Sequence, residues 1–415
     1  SGVGLILGAG IYAIIGVAAN LAGNQLWVSF LLGAFISSFT GLSYAELSTT
    51  IPKAAAEYSY VQESFKTPLG SFLVGWMIIF TESVAAATVA LAFGGYFHGV
   101  VGNPITVVAV VLILVLSLLN YVGIELSNKI NIVFSLIEIG GLILIIFIGI
   151  PYLGSVNYME SPYGIRGVLQ GSALIFFAYI GFEDIANLAE ESKNPEKDMP
   201  RALLLSILIT AFLYLFVALA AVSVVDWSKL GISAAPLALI ASKSLGTSAF
   251  GSLSVIALFA TANTVLILLI VCSRTIYGMA RDGRFPSPFS SLSKMGTPTF
   301  AIILTALLSL LFTLPQNLKL IAEITNFGTF VTFCSVNLSA IRLRYTRPDL
   351  KRPFKTPFTI GKMPIIPLIG LLSSGMLITQ LSVQAVIIGL CFLLIGVIFF
   401  WFCKSSLGKR LHCGI

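Results

Sequence analysis

Charge is what this 415-residue chain has least of: Asp, Glu, Lys and Arg together make up 10% of it, against roughly 25% in an average soluble domain. So poorly charged a surface cannot be covered by water, so most of it faces lipid. Histidine is scarcer still. His98 and His412 stand far apart, which argues against a zinc site and against His-based catalysis. The five cysteines, Cys272, Cys334, Cys391, Cys403 and Cys413, are scattered through apolar runs and the tail with no CxxC pair. Such an odd set reads as small hydrophobes, not as disulfides or a metal cluster. No nucleophile–base pair, cofactor fingerprint or metal cluster stands out, so neither an enzyme nor a cofactor is expected. No signal peptide is visible either, because the chain enters an apolar run directly from Ser1. A native N-terminal tail and part of the first helix are expected to precede it.

What the chain has in abundance is apolar length. Hydrophobic residues make up 57%, with a mean hydropathy of +0.99, and each membrane span needs about 20 of them. Breaking the apolar runs at charges and turn residues predicts an all-α membrane protein of about twelve helices. They lie near 3–20, 25–50, 69–98, 104–122, 130–153, 166–190, 201–225, 249–280, 298–315, 319–343, 363–382 and 384–403. Glu183 and Asp184 interrupt the sixth.

The net charge of +7 suggests nucleic acid only until the cations are placed. Twenty of the 24 fall in the loops after helices 2, 4, 6, 8 and 10 and in the tail; Arg166, Lys229, Lys243 and Lys319 alone fall on the other side. That asymmetry puts both termini in the cytoplasm and leaves no role for nucleic acid. The segment "RLRYTRPDLKRPFK", which begins at Arg342, also suits anionic membrane lipid.

The first helix is interrupted at "GAG" (8–10) and the sixth at "AYIGFED" (178–184), about 170 residues later. Interrupted helices at matching places in two halves point to a transporter's binding site. The halves are expected at 1–153 and 166–343, the second inverted, followed by two extra helices at 363–403 and a tail at 404–415. A break at bilayer depth frees amides at the start of one half-helix and carbonyls at the end of the other. It therefore offers donors to a carboxylate and acceptors to an ammonium. Glycine permits the turn and a close ligand approach; the alternative is that Gly8 and Gly10 merely allow tight helix packing.

Five strings, in order, resemble the amino acid permeases of the amino acid–polyamine–organocation superfamily along nearly the whole chain. They are "GAGIY" (8–12), "SYAELSTTIPKAAAEYSYV" (43–61), "FFAYIGFEDIANLAEESKNPEKDMPRA" (176–202), "SRTIYGMARDGRFP" (273–286) and "IRLRYTRPDLKRPFKTP" (341–357). The resemblance implies a five-plus-five inverted repeat with helices 1 and 6 broken, and transport by alternating access. It also implies that amides at Ala9, Gly10 and Ile11, beside Gly8, hold a substrate carboxylate. Carbonyls near Ile6, Phe177, Ala178 and Ile180, beside Gly181, would take the ammonium. Phe177 matches the family's aromatic lid, unless it is an ordinary core or lipid-facing phenylalanine. Two departures stand out. Ala9 replaces a Ser or Thr frequent in relatives, and "AAAEYSY" (54–60) replaces paired glycines.

Acids within spans are functional candidates by default. Glu46 is expected half-solvated at a helix end in a structural role, and Asp184 to cap or solvate a half-helix. Glu183, just after the break, either couples opening to protonation or braces helices. Glu138 falls where several proton-coupled relatives carry a lysine. It is expected either to carry a proton or hold Na⁺, or else to pair with Lys129 or another helix. Glu82 would favour a cationic side chain if it faces the pocket. Thr261, Asn263 and Thr264 are further candidate pocket liners. The expected function is secondary transport of an amino acid across the cytoplasmic membrane, proton-coupled. The alternatives are an amino acid or polyamine exchanger, or a channel or sensor on the same fold.

Overall fold

The computed structural model describes residues 2–53, 56–123, 128–187, 189, 192 and 194–404. Most of the expected tail, with Cys413 and His412, lies outside the described residues, as does the side chain of Lys129.

Glycine and apolar periodicity divide the first half as follows. Helices α1 (Gly2–Ile6) and α2 (Gly10–Ala22) are separated at residues 7–9, overlapping the "GAG" of residues 8–10. Then come α3 (Leu26–Thr50), α4 (Ala56–Phe65), α5 (Pro68–Val101), α6 (Ile105–Val122) and α7 (Asn128–Gly149). Pro68 opens α5 at the position where its missing N–H costs nothing, and Gly102 closes it in the left-handed conformation.

The second half begins with α8 (Gly164–Ile175), which tightens into a 3₁₀ turn at Phe176–Tyr179, leaves helical geometry, and resumes for one turn as α9 (Asp184–Asn187). Gly181 sits in that gap at φ +112°, a conformation closed to residues with a Cβ. Helices α10 (Pro195–Val224), α11 (Trp227–Ile232), α12 (Pro236–Leu245), α13 (Thr247–Arg281), α14 (Thr299–Thr313) and α15 (Leu318–Thr346) follow. A two-residue hairpin, Thr359–Ile360 with Met363–Pro364, leads to α16 (Ile365–Ile378) and α17 (Val383–Lys404).

Among the described residues, nine stretches are long and apolar enough to cross a membrane, α2 and α3 counting as one; α12, α14 and α16 are shorter apolar helices. Three helices were not expected from hydropathy: α4, α11 and α12. α4 carries only a short apolar stripe, and α11 has six residues. Helix α10 starts six residues before the expected 201, because Asn194 and Pro195 form a helix entry and Pro200 falls inside its first turns.

Glu46 corrects the half-solvated expectation. It is 2% exposed. Arg344 donates from Nε to Oε1 at 2.7 Å and from Nη2 to Oε2 at 2.6 Å. Thr356 donates to Oε2 from its amide at 2.8 Å and from its hydroxyl at 2.9 Å. Arg352 Nε stands 3.5 Å from Oε1. The carboxylate thus ties the end of α3 to α15 and to the loop after it. Two flanking arginines supply what water would otherwise supply.

Candidate functional site

A cavity of about 70 Å³ is lined by residues of both breaks. The first break lines it with Gly4, Ile6, Gly8 and Gly10, the second with Phe177, Ile180, Gly181 and Asp184. Glu82, Ala85 and Val89 of α5, Glu138 of α7, and Asn263, Thr264, Ile267 and Leu268 of α13 complete the wall. Liquid water occupies about 30 Å³ per molecule, so this space suits a few waters. It is far below the ~300 Å³ of an ordinary ligand pocket. A larger ligand requires the walls to part.

The breaks touch each other directly. A Cβ on Gly10 would lie 2.7 Å from Ala178 Cα and 3.2 Å from the Phe177 carbonyl oxygen. Close packing and cavity lining are therefore both true of Gly10. No side chain caps α2, which leaves its first-turn amides without a side-chain partner at the positive end of the helix dipole.

Several expected ligand groups already have partners. The Ala9 amide donates to Thr264 Oγ1 at 3.0 Å, so a hydroxyl from α13 reaches the first break. The Tyr214 hydroxyl of α10 donates to the carbonyls of both Ile6, at 3.2 Å, and Ala178, at 3.1 Å. Two of the carbonyls expected to take an ammonium are thus bridged by one buried tyrosine. Ala9, Ile11 and Ala178 do not line the cavity. Thr261 does not either, and its hydroxyl bonds back to the Ala257 carbonyl at 2.6 Å. Glu183 also stays off the wall: its Oε2 accepts the Gly181 amide at 2.9 Å, bracing the break it follows. Asp184, expected only to cap or solvate a half-helix, opens α9 and lines the cavity.

Glu138 is 1% exposed, and among the described residues neither its Oε1 nor Asn263 Oδ1 has a hydrogen-bond partner. The Glu138 backbone carbonyl accepts from Tyr12 at 3.0 Å. The wall therefore carries three carboxyls, Glu82, Glu138 and Asp184, and no Lys or Arg among the described residues.

A fourth acid, Glu57 on α4, escaped the sequence reading because it lies in a short polar segment outside the apolar runs. It is 4% exposed and accepts the Tyr44 hydroxyl at 3.0 Å. Burial, with Asp184 nearby, raises it from its ordinary value of 4.5 to about 7. Between those values the folded chain holds a proton that the unfolded chain lacks. Glu57's contribution to stability is thus full below about pH 4.5, declines as pH rises to about 7, and is flat above. Glu57→Gln keeps the acceptor for Tyr44 but carries no charge. It is expected to be more stable than the wild type at pH 8 by about 2–3 kcal/mol, and equal to it near pH 4.5. Thermal unfolding in detergent at the two pH values reads this; an equal offset at both would contradict it.

Around Glu57 the rings of Tyr44, Phe182 and Phe333 meet edge-on or tilted at 5.2–5.8 Å.

A family model described as "Amino acid permease" matches residues 1–409. The branched-chain amino acid permease BcaP of Bacillus subtilis (strain 168) is 28% identical over 96% of this chain and 90% of its own length. The methylthioribose transporter of the same organism is 30% identical over 89% and 84%. The vacuolar cationic amino acid transporter 4 of Arabidopsis thaliana is 28% identical over 84% and 62%.

Proposed function

Because this chain belongs to the amino acid permease family, we propose that it is a secondary active transporter that carries an amino acid with a cationic side chain across the cell membrane, driven by protons. Membership makes it a multi-pass membrane protein of all-α fold. The finer architecture is part of the proposal: twelve spans in a five-plus-five inverted repeat (1–153 and 166–343), two further helices at 363–403, and both termini cytoplasmic. The matched breaks and the distribution of Lys and Arg support it.

The observation that carries the substrate class is the acidic wall without a basic side chain. An α-carboxylate would be met by the amide of Gly10 and the dipole of α2. Glu82 and Asp184 would face an ammonium or guanidinium. Glu138 and Asn263 each present an oxygen with no protein partner, which supports a proton or a bound cation at that corner. Alternating access would be rocking of the helices around the cavity, and the small volume suits an occluded state.

Uptake of labelled lysine, arginine, leucine and a polyamine into proteoliposomes, with and without a pH gradient, tests the reading. Cationic amino acids should accumulate only with the gradient. Glu82→Gln should raise their KM about tenfold or more, the loss of one charged contact, with less effect on leucine. Glu138→Gln should flatten the pH profile. Better competition by leucine than by lysine would remove the cationic selectivity. Uptake that needs preloaded substrate would make the protein an exchanger, and absence of flux a sensor.

A further inference from the structure

A second cavity lies apart from the acidic one. A groove of about 260 Å³ runs between α4, α5, α15 and α17, with Phe65, Leu73, Met77, Val331, Leu338 and Leu393 in its walls. One of its hydroxyls, Ser335, bonds back to the Val331 carbonyl of its own helix at 3.0 Å. From Leu338 to Val331 is two turns, roughly 10 Å, within the ~15 Å of one leaflet's hydrocarbon. Leu338 is 41% exposed, so the groove opens sideways to where lipid lies.

Cations stand at one end of this groove. Arg342, one turn beyond Leu338, is exposed; its Nε donates to the Ser64 carbonyl at 2.9 Å and its guanidinium lies 4.7 Å from the Phe65 ring centre. Lys66 follows Phe65 in the turn between α4 and α5 and is also exposed. Neither pairs with a carboxylate among the described residues. The bond to Ser64 and the stacking on Phe65 hold the guanidinium still, with its two terminal nitrogens available. An apolar slot at hydrocarbon depth, with two unpaired cations at its end, matches one molecule in particular: a lipid with an anionic head.

We propose that this groove is a binding site for one anionic phospholipid, with an acyl chain between α5, α15 and α17 and the phosphate at Arg342 and Lys66. Arg342 belongs to the basic segment singled out in the sequence, and its position over Phe65 gives that segment a defined lipid partner. A zwitterionic lipid would fill the same slot but gain less from two cations, each worth about tenfold or less near an anionic surface.

Native mass spectrometry of the purified protein, equilibrated with vesicles of palmitoyl-oleoyl-phosphatidylglycerol or of palmitoyl-oleoyl-phosphatidylcholine, reads the site. The wild type should retain one phosphatidylglycerol at least tenfold better than phosphatidylcholine. Lys66→Gln, on an exposed side chain with no structural bond, should lower that preference severalfold. Adding Arg342→Gln should abolish it. Ser335→Phe, which fills the slot without touching the cations, should lose both lipids. Equal retention of the two lipids by wild type, or unchanged retention in Ser335→Phe, would overturn the proposal. So would displacement of phosphatidylglycerol by glycerol phosphate alone at equal concentration, because the groove would then contribute nothing.

Discussion

Gly10→Val is expected to bring substrate binding and uptake down to background, at least a hundredfold, while the protein still inserts and elutes as a single species. The reason lies in what surrounds the missing Cβ. It would stand 2.7 Å from Ala178 Cα, a main-chain atom that cannot rotate away. Valine adds two methyl groups beyond that point, at a residue that also lines the cavity. Either the breaks separate or the methyls occupy the space between them. In both cases the amides of α2 lose their alignment with the second break. Overpacking of this kind costs roughly 1–3 kcal/mol, which a large apolar core absorbs, whereas a binding geometry lost by an ångström does not recover. Equilibrium binding and proteoliposome uptake, beside a size-exclusion profile, measure it. Wild-type affinity in Gly10→Val would place the substrate elsewhere.

Glu46→Ala should destabilise the protein by about 3–5 kcal/mol, the usual result of stripping one partner from a buried ion pair. Arg344, 5% exposed at its side chain, would keep its charge and lose both carboxylate oxygens, and Thr356 would lose the acceptor of its amide. The thermal transition in detergent should fall by several degrees. Replacing the pair together, Glu46→Met with Arg344→Met, should recover part of the loss, because the cost comes from the stranded charge and not from the missing contact. A single substitution no more harmful than the double one would show that the pair does not hold α3 to α15.

How far the chain could be read in advance differs between backbone and side chains. The break at residues 7–9 was legible because clustered glycines in an apolar run were matched by a second interruption about 170 residues later, and that at 180–183 because acids stand in mid-span. Helix α4 was hidden, since ten residues with a weak apolar stripe look like a loop when hydropathy alone is weighed. Partners were the hardest. Nothing near Glu46 announces an arginine 298 positions away. Tyr214 lies in "AFLYLFVALA", where an aromatic ring reads as lipid-facing filler. Its hydroxyl matters only once two distant carbonyls have been brought together. Thr264 was readable as a pocket liner, but its bond to the Ala9 amide was not, because hydrogen bonding across folded segments leaves no periodicity behind.

Tyr214 has one proton and holds two oxygens with it, one from each interrupted segment. A movement that pulled those segments apart would strand at least one carbonyl in a dry interior, at a cost comparable to an orphaned polar group. The two discontinuities are therefore fastened like the leaves of one hinge. If the proposed alternating access holds, the two breaks would travel together, and the parting that admits a ligand would take place against the helices that bear Glu82 and Glu138.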